Sequence, residues 1–320
     1  MKTCLTLLLL FISTLAQAQT RVPRIGILIQ ELGRSQSQAI KGANLELKQL
    51  GYSERKNLYF ETRNAKGDRS ALQAAAKELA AKKVEVIFTT GTRAALAAAA
   101  ATQDIPLVFV HPGDPVTAGL VKSSADAARN VTGVAAYAGE TTEKRLELFK
   151  QILPALTKIY VFFDANSSAA RDRVALAESA AKKNAVQFVG YGIKSTDELK
   201  TTLSNLNNEA GAAIFQISDD LVESEAEFVF ATARQKKLPT MFNEEAWAIA
   251  GATAAYGPSY LEMGRHAGRI IDQIIKGKAP ASIAVVRSGK FDLTINYRAA
   301  KYIGLQLPSE LLKKADKVIR

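Results

Sequence analysis

The sequence has almost none of the residues that build metal centres and disulfides. Its 320 residues include one cysteine, Cys4, and two histidines, His111 and His266. The histidines lie far apart, and neither a His-x-x-x-His nor a paired-cysteine spacing occurs. A Gly-x-Ser-x-Gly elbow and a Gly-Lys-Ser/Thr phosphate loop are also missing. The sequence therefore predicts no metal, no cofactor and no disulfide, and it offers no constellation of catalytic residues.

Long apolar stretches are equally scarce, and the clearest one is at the N-terminus. A short positive start, Met1-Lys2, precedes an apolar run over residues 5–15 and the sequence Ala16-Gln17-Ala18. The run is too short to span a bilayer. The pattern is typical of a signal peptide over residues 1–18 that is cleaved after Ala18. It predicts an exported, periplasmic and soluble mature protein. No lipid anchor is expected, because Cys4 is not at the cleavage point.

Positive charge is in excess but is not concentrated in one place. The formal net charge is +11. Pairs such as Lys82-Lys83 and Lys182-Lys183 follow runs of alanine or leucine in helix-like segments. This pattern is typical of the solvated face of amphipathic helices, and no basic run alternates with aromatic residues. Nucleic acid is therefore not expected as a partner.

The sequence is rich in alternating apolar strands and helices. The strands predicted in the first cycle are residues 24–29, 58–62, 84–89 and 106–110, with a weaker strand at 131–137. The strands predicted in the second cycle are residues 159–163, 186–191, 213–217 and 240–242. Helices between successive strands imply right-handed crossovers and parallel sheets, so we expect an α/β protein of two doubly wound, Rossmann-like lobes. The elements after Tyr256 do not fit a simple tandem and suggest that the chain crosses back between the lobes.

Polar residues follow the predicted strands, where open parallel sheets bind their ligands. The candidate ligand-binding residues of the first lobe are Gln30, Thr90, Gly91, Thr92, His111, Gly113 and Asp114. Those of the second lobe are Asp164, Asn166, Asp219, Asn243 and Glu244. Two tyrosines in glycine-flanked segments, Tyr137 and Tyr256, are expected to line a cleft. The first lobe thus supplies mostly neutral donors, and the second supplies carboxylates.

Several of these candidates have an alternative role that the sequence leaves open. The segment 90–92 precedes a helix, where its amides and hydroxyls could bind a small anion or could simply form a cap and a tight turn. Asp219 could bind a ligand or metal, act as an acid or base, or cap a helix. His111 could belong to the site or to the packing, whereas His266 is expected on a helix surface.

Several segments, in this order, resemble those of a known family. They are "FTTGTRAALAA", "PLVFVHPGDPVTAGLV", "AYGPSY" and "LTINYRAAKYIGLQLP". The chain resembles the ABC-transporter substrate-binding proteins that include tryptophan-binding lipoproteins. The resemblance implies the type I periplasmic-binding-protein fold, in which a three-strand hinge joins the lobes. It implies one lobe of residues 22–137 plus 253–284 and another of residues 138–252 plus 285–320.

The same resemblance implies a function. The protein would be the periplasmic solute-binding component of an ABC importer, without enzymatic activity. It would capture a small carboxylate ligand, an amino acid or a related molecule, and deliver it as a monomer to an inner-membrane permease. The ligand carboxylate would meet residues 90–92, and its ammonium would meet Asp219. The alternatives are a periplasmic sensor that signals to a membrane receptor and an exported hydrolase on the same lobes.

Overall fold

The computed structural model describes residues 22–111, 113–123, 130–137 and 141–320, so the predicted signal peptide lies outside the described residues. The strands are β1 Arg24–Ile29, β2 Tyr59–Asn64, β3 Val86–Thr90, β4 Leu107–His111, β5 Val131–Ala135, β6 Lys158–Asp164, β7 Gln187–Ile193, β8 Ala212–Phe215, β9 Thr240–Phe242, β10 Ala254–Pro258, β11 Val286–Arg287, β12 Phe291–Asn296 and β13 Lys317–Ile319. The α-helices are α1 Arg34–Gln49, α2 Arg69–Ala81, α3 Thr92–Ala101, α4 Thr142–Ile152, α5 Ser168–Lys183, α6 Thr196–Ser204, α7 Asp220–Ser224, α8 Ala226–Gln235, α9 Glu245–Ala250, α10 Tyr260–Ile275, α11 Tyr297–Tyr302 and α12 Ser309–Lys314.

The first lobe is built on a six-stranded sheet in the order β11-β5-β4-β3-β1-β2, and every neighbouring pair is parallel. Strands β3, β4 and β5 are buried along their whole length, as the continuous apolar runs of the sequence predict. Helices α1 and α10 pack on one face of the sheet, and α2 and α3 pack on the other. This arrangement confirms the predicted doubly wound lobe.

The second lobe contains a seven-stranded sheet in the order β13-β12-β10-β9-β8-β6-β7. Its neighbours are parallel except β10 and β12, which run antiparallel. Helices α4 and α5 cover one face, while α6, α8 and α9 cover the other. The expectation of two α/β lobes is confirmed, whereas the antiparallel pairing of β12 with β10 departs from the parallel sheets that the sequence predicts.

The chain crosses between the lobes at places that differ from the predicted boundaries. Strand β10 pairs with β9 and β12, so it belongs to the second lobe, although residues 253–284 were assigned to the first. Strand β11 pairs with β5 in the first sheet, although residues from 285 onwards were assigned to the second. The later crossings therefore fall at 258–260 and at 287–291. The pairing partners of an apolar strand are far away in sequence, which is why local patterns misplaced these boundaries.

Helix α10 is fixed to the first lobe by close packing against α1. A Cβ atom at Gly42 would lie 2.0 Å from the carbonyl oxygen of Leu261, and one at Gly264 would lie 2.0 Å from that of Ala39. Glycine at both positions allows the two backbones to touch. The Arg269 Nε group also donates to Glu46 of α1 at 2.7 Å. The start of α10 therefore stands at the edge of the first lobe, next to the crossing from β10.

Candidate ligand-binding cleft

A hydrogen-bonded cluster around Glu244 joins the strand ends of the two lobes. Glu244 follows β9 and directly precedes α9. Ser35, in the first turn of α1, donates through Oγ to Glu244 Oε2 at 2.6 Å. Tyr260, the first residue of α10, donates through its hydroxyl to Oε1 at 2.8 Å. The carboxyl ends of the two sheets therefore face each other across a cleft, and Glu244 is one of the residues that bridge it.

The charge of Glu244 is not balanced by a cation within the described parts of the chain. Burial raises the pKa of its carboxyl group above the ordinary value, and the hydrogen bonds from Ser35 and Tyr260 only partly offset this shift. The pKa of Tyr260 is also raised well above its ordinary value, first by burial and then by the nearby Glu244. A desolvated carboxylate that has only neutral donors is suited to receive a cationic group.

Residues 90–92 of the first lobe form the turn from β3 into α3. Thr90 is 3% exposed, and its hydroxyl oxygen has no hydrogen-bond partner among the residues that the structure describes. Gly91, with φ of 91°, adopts a backbone conformation that favours glycine, and its N–H donates to the carbonyl oxygen of Val110 at 2.9 Å. Its amide is therefore occupied. The amides of the first turn of α3 and the Thr90 hydroxyl remain suited to an anion.

His111 lies at the end of β4, beside this turn, and is uncharged at neutral pH. Burial lowers its pKa to about 4, although the backbone and carboxylate of Asp114 oppose the shift. Its Nδ1 atom lies 3.0 Å from the hydroxyl of Thr92, which is consistent with a hydrogen bond. A Cβ atom at Gly113 would lie 3.1 Å from His111 Nε2, so Gly113 leaves room for the ring. His111 thus orients Thr92, and both remain candidate ligand contacts.

Asp114 and Asp219 both accept hydrogen bonds from nearby backbone or side-chain groups. Asp114 accepts the backbone N–H of Val116 and the hydroxyl of Thr117, both at 2.9 Å. Asp219 is 4% exposed, and its Oδ2 accepts the backbone N–H of Asp164 at 2.9 Å. These contacts give Asp114 the role of a turn residue.

Asp219 also caps helix α7. Its Oδ1 accepts the backbone N–H groups of Leu221 and Val222 at 3.1 Å each. Both of its oxygens are therefore engaged, and capping, the alternative that the sequence left open, is the role that its contacts display. The contact between Asp219 and a ligand ammonium stays a prediction, and helix capping is the alternative role that the observed contacts favour.

The remaining second-lobe candidates lie at the ends of β6, β9 and β10. Asp164 accepts the backbone N–H of the exposed Asn166 at 2.8 Å, which makes this pair a local turn. The side-chain oxygen of Asn243 is buried without a hydrogen-bond partner within the described residues. A Cβ atom at Gly257 would lie 1.7 Å from the carbonyl oxygen of Asn243, so only glycine fits beside that residue. The Oδ1 atom of Asn243 is therefore a buried acceptor next to Glu244 that no described residue satisfies.

Three further candidates lie at or near the crossings and at the end of β1. The ring of Tyr256 packs 5.9 Å from that of Phe291, so this side chain is shared between the cleft edge and the core. Tyr137 has φ of 53° and lies beneath the guanidinium of Arg287, 4.5 Å from it. Gln30 is half-buried, and its carbonyl oxygen accepts the N–H of Gly67 at 2.9 Å. Gln30 directly follows β1 and Tyr137 follows β5, whereas Tyr256 lies within β10.

Sequence reasoning missed Ser35, Tyr260 and Arg145 as polar members of this region. Tyr260 is the last residue of the quoted segment "AYGPSY", and Ser35 begins a predicted helix, so both positions were visible. Arg145 is a buried residue of α4, and its Nη2 donates to the carbonyl oxygen of Gln216 at the end of β8 at 2.7 Å. An arginine on the apolar face of a helix is the signal that could have identified it.

Cavities elsewhere in the molecule do not contain the predicted residues. One of about 850 Å³ lies between α8, α9 and α11, where Thr240 and Thr253 mark the opposite end of the strands of the second lobe. Another of about 510 Å³ is a groove between α1 and the first sheet.

The described residues contain no group of three or more His, Cys, Asp or Glu that could hold a metal. Within the same residues, no helix combines the length and apolarity needed to cross a membrane.

Comparison with known proteins adds to this geometry. The family model "ABC transporter substrate binding protein" matches residues 25–319. A tyrosine-binding protein from Clostridioides difficile is 30% identical over 272 residues, which cover 85% of this chain and 78% of that protein.

Solved structures are similar over nearly the whole chain. The ABC domain from Streptococcus pneumonia in complex with L-Trp is 26% identical, with a TM-score of 0.79 over 93% of this chain and 99% of that one. A ligand-free, open substrate-binding protein with adhesive properties from Clostridium difficile is 27% identical, with a TM-score of 0.78 and the same coverage. Both similarities extend across the two lobes and the crossings between them.

Proposed function

This chain belongs to the ABC transporter substrate-binding protein family, whose members bind solutes and are not enzymes, and from that membership we propose a specific role. The protein captures an aromatic L-amino acid in the cleft between its lobes and delivers it to an ABC permease. Tyrosine and tryptophan are the first candidates, because two similar proteins are described as binding them.

The environment of Glu244 is the observation that most strongly supports this proposal. Its carboxylate stands between the lobes, is desolvated, and among the residues that the structure describes is bonded only to the hydroxyls of Ser35 and Tyr260. An α-ammonium group supplies the missing cation and contacts a residue that already touches both lobes. Glu244 takes the role that the resemblance gave to Asp219, whose oxygens are engaged by backbone amides.

The ligand carboxylate is proposed to meet the turn from β3 into α3. The partial positive charge at the start of a helix favours an anion, and no described residue forms a hydrogen bond with the Thr90 hydroxyl. The residues proposed to line the cleft around these two anchors are Gln30, Gly91, Thr92, His111, Gly113, Tyr137, Asn243 and Tyr256. Because the anchors lie on different lobes, a bound ligand favours closure by hinge motion.

The setting of this function is proposed from the sequence and the family together. Cleavage after Ala18 releases a periplasmic monomer, which exchanges its ligand with an inner-membrane permease. The role of a sensor that signals to a receptor has no support from the similar proteins reported above. Uptake of labelled tyrosine by cells with and without the gene separates the two roles, since only an importer component changes the rate of entry.

A binding screen tests the proposed ligand class. Protein stripped of bound small molecules by unfolding and refolding is melted with each common L-amino acid and with the D-enantiomers of tyrosine and tryptophan. Selective binding of L-tyrosine or L-tryptophan raises the melting temperature, since a ligand that binds the folded state stabilises it. No shift with any amino acid, together with a normal unfolding transition, contradicts the proposal.

A further inference from the structure

Arg145 is a buried cation at the cleft end of the second sheet. Only 4% of the residue is exposed. Its Nη2 donates to the carbonyl oxygen of Gln216, the residue that follows β8, at 2.7 Å. Its guanidinium carbon lies 4.5 Å from the centre of the Phe215 ring. A carbonyl and an aromatic face thus hold the guanidinium beneath the end of β8.

No carboxylate balances this charge among the residues described. The Nε atom of Arg145 is buried and has no hydrogen-bond partner there. Burial alone lowers the pKa of the guanidinium to about 9, which still leaves it charged at neutral pH. Glu223 contacts the side-chain amide of Gln216 at 2.9 Å. A buried charge without a counter-ion is costly to the fold, so its presence calls for an explanation beyond stability.

The topology indicates what faces this end of β8. The two sheets have the same strand order, β5-β4-β3-β1-β2 in the first lobe and β10-β9-β8-β6-β7 in the second. The chain crosses between the lobes after β5 and after β10, so the corresponding edges of the two sheets lie at the same side of the cleft. Strand β8 then corresponds to β3 across the cleft. Arg145 consequently faces the turn that contains Thr90 and the start of α3.

We propose that Arg145 is a specificity-determining residue that receives the ligand carboxylate from the second lobe. Its Nε donates to one carboxylate oxygen, and the Thr90 hydroxyl with the first-turn amides of α3 donates to the other. This inference rests on the proposed amino-acid function. With this arrangement each charge of a zwitterion has a partner in the second lobe, Glu244 for the ammonium and Arg145 for the carboxylate. The site then accepts only ligands with a free carboxylate.

The test compares an acid with its amide on matched variants. L-Tyrosine and L-tyrosinamide are titrated by calorimetry into the wild type, Arg145→Met and Lys144→Met. Lys144 is an exposed neighbour of Arg145 on the same helix, so Lys144→Met is a control that removes the same charge. The wild type should prefer the acid by about 10- to 100-fold, the range expected for a charge-assisted hydrogen bond. The ratio of the affinity for the acid to the affinity for the amide should fall close to one in Arg145→Met and keep its wild-type value in Lys144→Met. Equal weakening of both ligands, with the preference intact, overturns the proposal.

A ligand-free measurement separates this inference from the proposed function. If the wild type binds neither L-tyrosine nor L-tryptophan, the proposed function is contradicted, and the melting temperatures of the ligand-free variants then decide the role of Arg145. If the charge of Arg145 serves to bind a ligand, Arg145→Met should be at least as stable as the wild type, because a buried unpaired charge is removed. A fall of several degrees below both the wild type and Lys144→Met marks Arg145 as a structural support for Gln216 and overturns the inference.

Discussion

The two lobes share a strand order but differ in what they place at the cleft. The first lobe contributes hydroxyls, helix amides and an uncharged histidine at the ends of β1, β3 and β4. The second contributes Glu244 and Arg145, charged side chains that are not paired with opposite charges within the described residues. The neutral groups of the first lobe need no ligand to be satisfied electrostatically. The charged groups of the second lobe do, and the proposed zwitterionic ligand would supply both of the missing opposite charges.

A second comparison lies within the second lobe, between Asp219 and Glu244. Each is an acidic residue that follows an apolar strand and precedes a helix. Asp219 has a short side chain that folds back onto backbone amides, and its oxygens are engaged there. Glu244 has one more methylene and reaches hydroxyls that belong to other elements. The same sequence pattern thus yields a cap in one case and an inter-lobe contact in the other.

Removal of the Glu244 charge is expected to have the largest effect on binding. Glu244→Gln retains the size and the hydrogen-bonding oxygen but leaves the ligand ammonium without an ionic partner. Affinity for L-tyrosine should fall by about 2–5 kcal/mol, at least 30-fold, as when one partner of a buried charge pair is lost. Calorimetry measures the loss, and Glu245→Gln, the next residue, is the matched control. Equal affinity of Glu244→Gln and the control contradicts the assignment.

Acidification is expected to destabilise the first lobe through His111. Its pKa is lowered to about 4 in the folded protein, so the unfolded chain binds more protons between pH 4 and the ordinary value of 6.5. The contribution of neutral His111 to the free energy of unfolding is complete above pH 6.5. It is lost as the pH falls through 4, a change of about 3 kcal/mol. Urea unfolding at a series of pH values should show it.

A variant without the imidazole of His111 gives the control for this experiment. His111→Gln should flatten the pH dependence of the free energy of unfolding between pH 4 and 6.5. If this variant keeps the slope of the wild type, the burial of His111 is not its source.

Asp219 variants are expected to affect stability more than binding. Asp219→Ala removes the acceptor for three backbone N–H groups and should lower the free energy of unfolding by about 1–3 kcal/mol. Asp219→Asn keeps a capping oxygen and should lose less. Denaturant unfolding and calorimetry on both variants check this. A large loss of affinity in Asp219→Asn, with normal stability, would restore the original assignment of Asp219 as the ammonium partner.

The smallest effect is expected from single hydroxyls of the first lobe. Thr90→Val removes the proposed donor to the ligand carboxylate and should weaken binding of L-tyrosine by about 0.5–1.5 kcal/mol. Thr89 is also buried, and its hydroxyl has no hydrogen-bond partner in the described part of the chain. Adjacent strand residues point to opposite faces, so Thr89→Val is the control. Titration of both variants should separate them. Identical affinities contradict a contact through Thr90.

Local patterns predicted most elements but not their long-range partners. The strand predicted at residues 24–29 is observed as Arg24–Ile29, and the one predicted at 240–242 as Thr240–Phe242. Apolar periodicity and turn residues suffice for this. The lobe to which β10 and β11 belong depends on strands that are distant in sequence, so the predicted boundaries missed it.

The sequence indicates which strand ends carry polar residues but not the contacts that those residues make. Strand ends are recognisable in sequence, yet whether a carboxylate there is free depends on which amides fold back onto it, as Asp219 and Glu244 illustrate. Ser35 reaches Glu244 across 209 positions of the chain, a contact that no local pattern contains. Arg145 shares the buried face of α4 with Leu146 and Phe149, and the apolar spacing of such a face predicts packing and not a charged group.

The most direct test of the account is a crystal structure with the amino acid that binds best in the screen. The ligand should lie between the lobes, with its ammonium nitrogen within hydrogen-bond distance of the Glu244 carboxylate. Its carboxylate should lie between the first turn of α3 and Arg145. A ligand found in the 850 Å³ cavity of the second lobe, or bound in the cleft with its two charged groups reversed, would contradict the account.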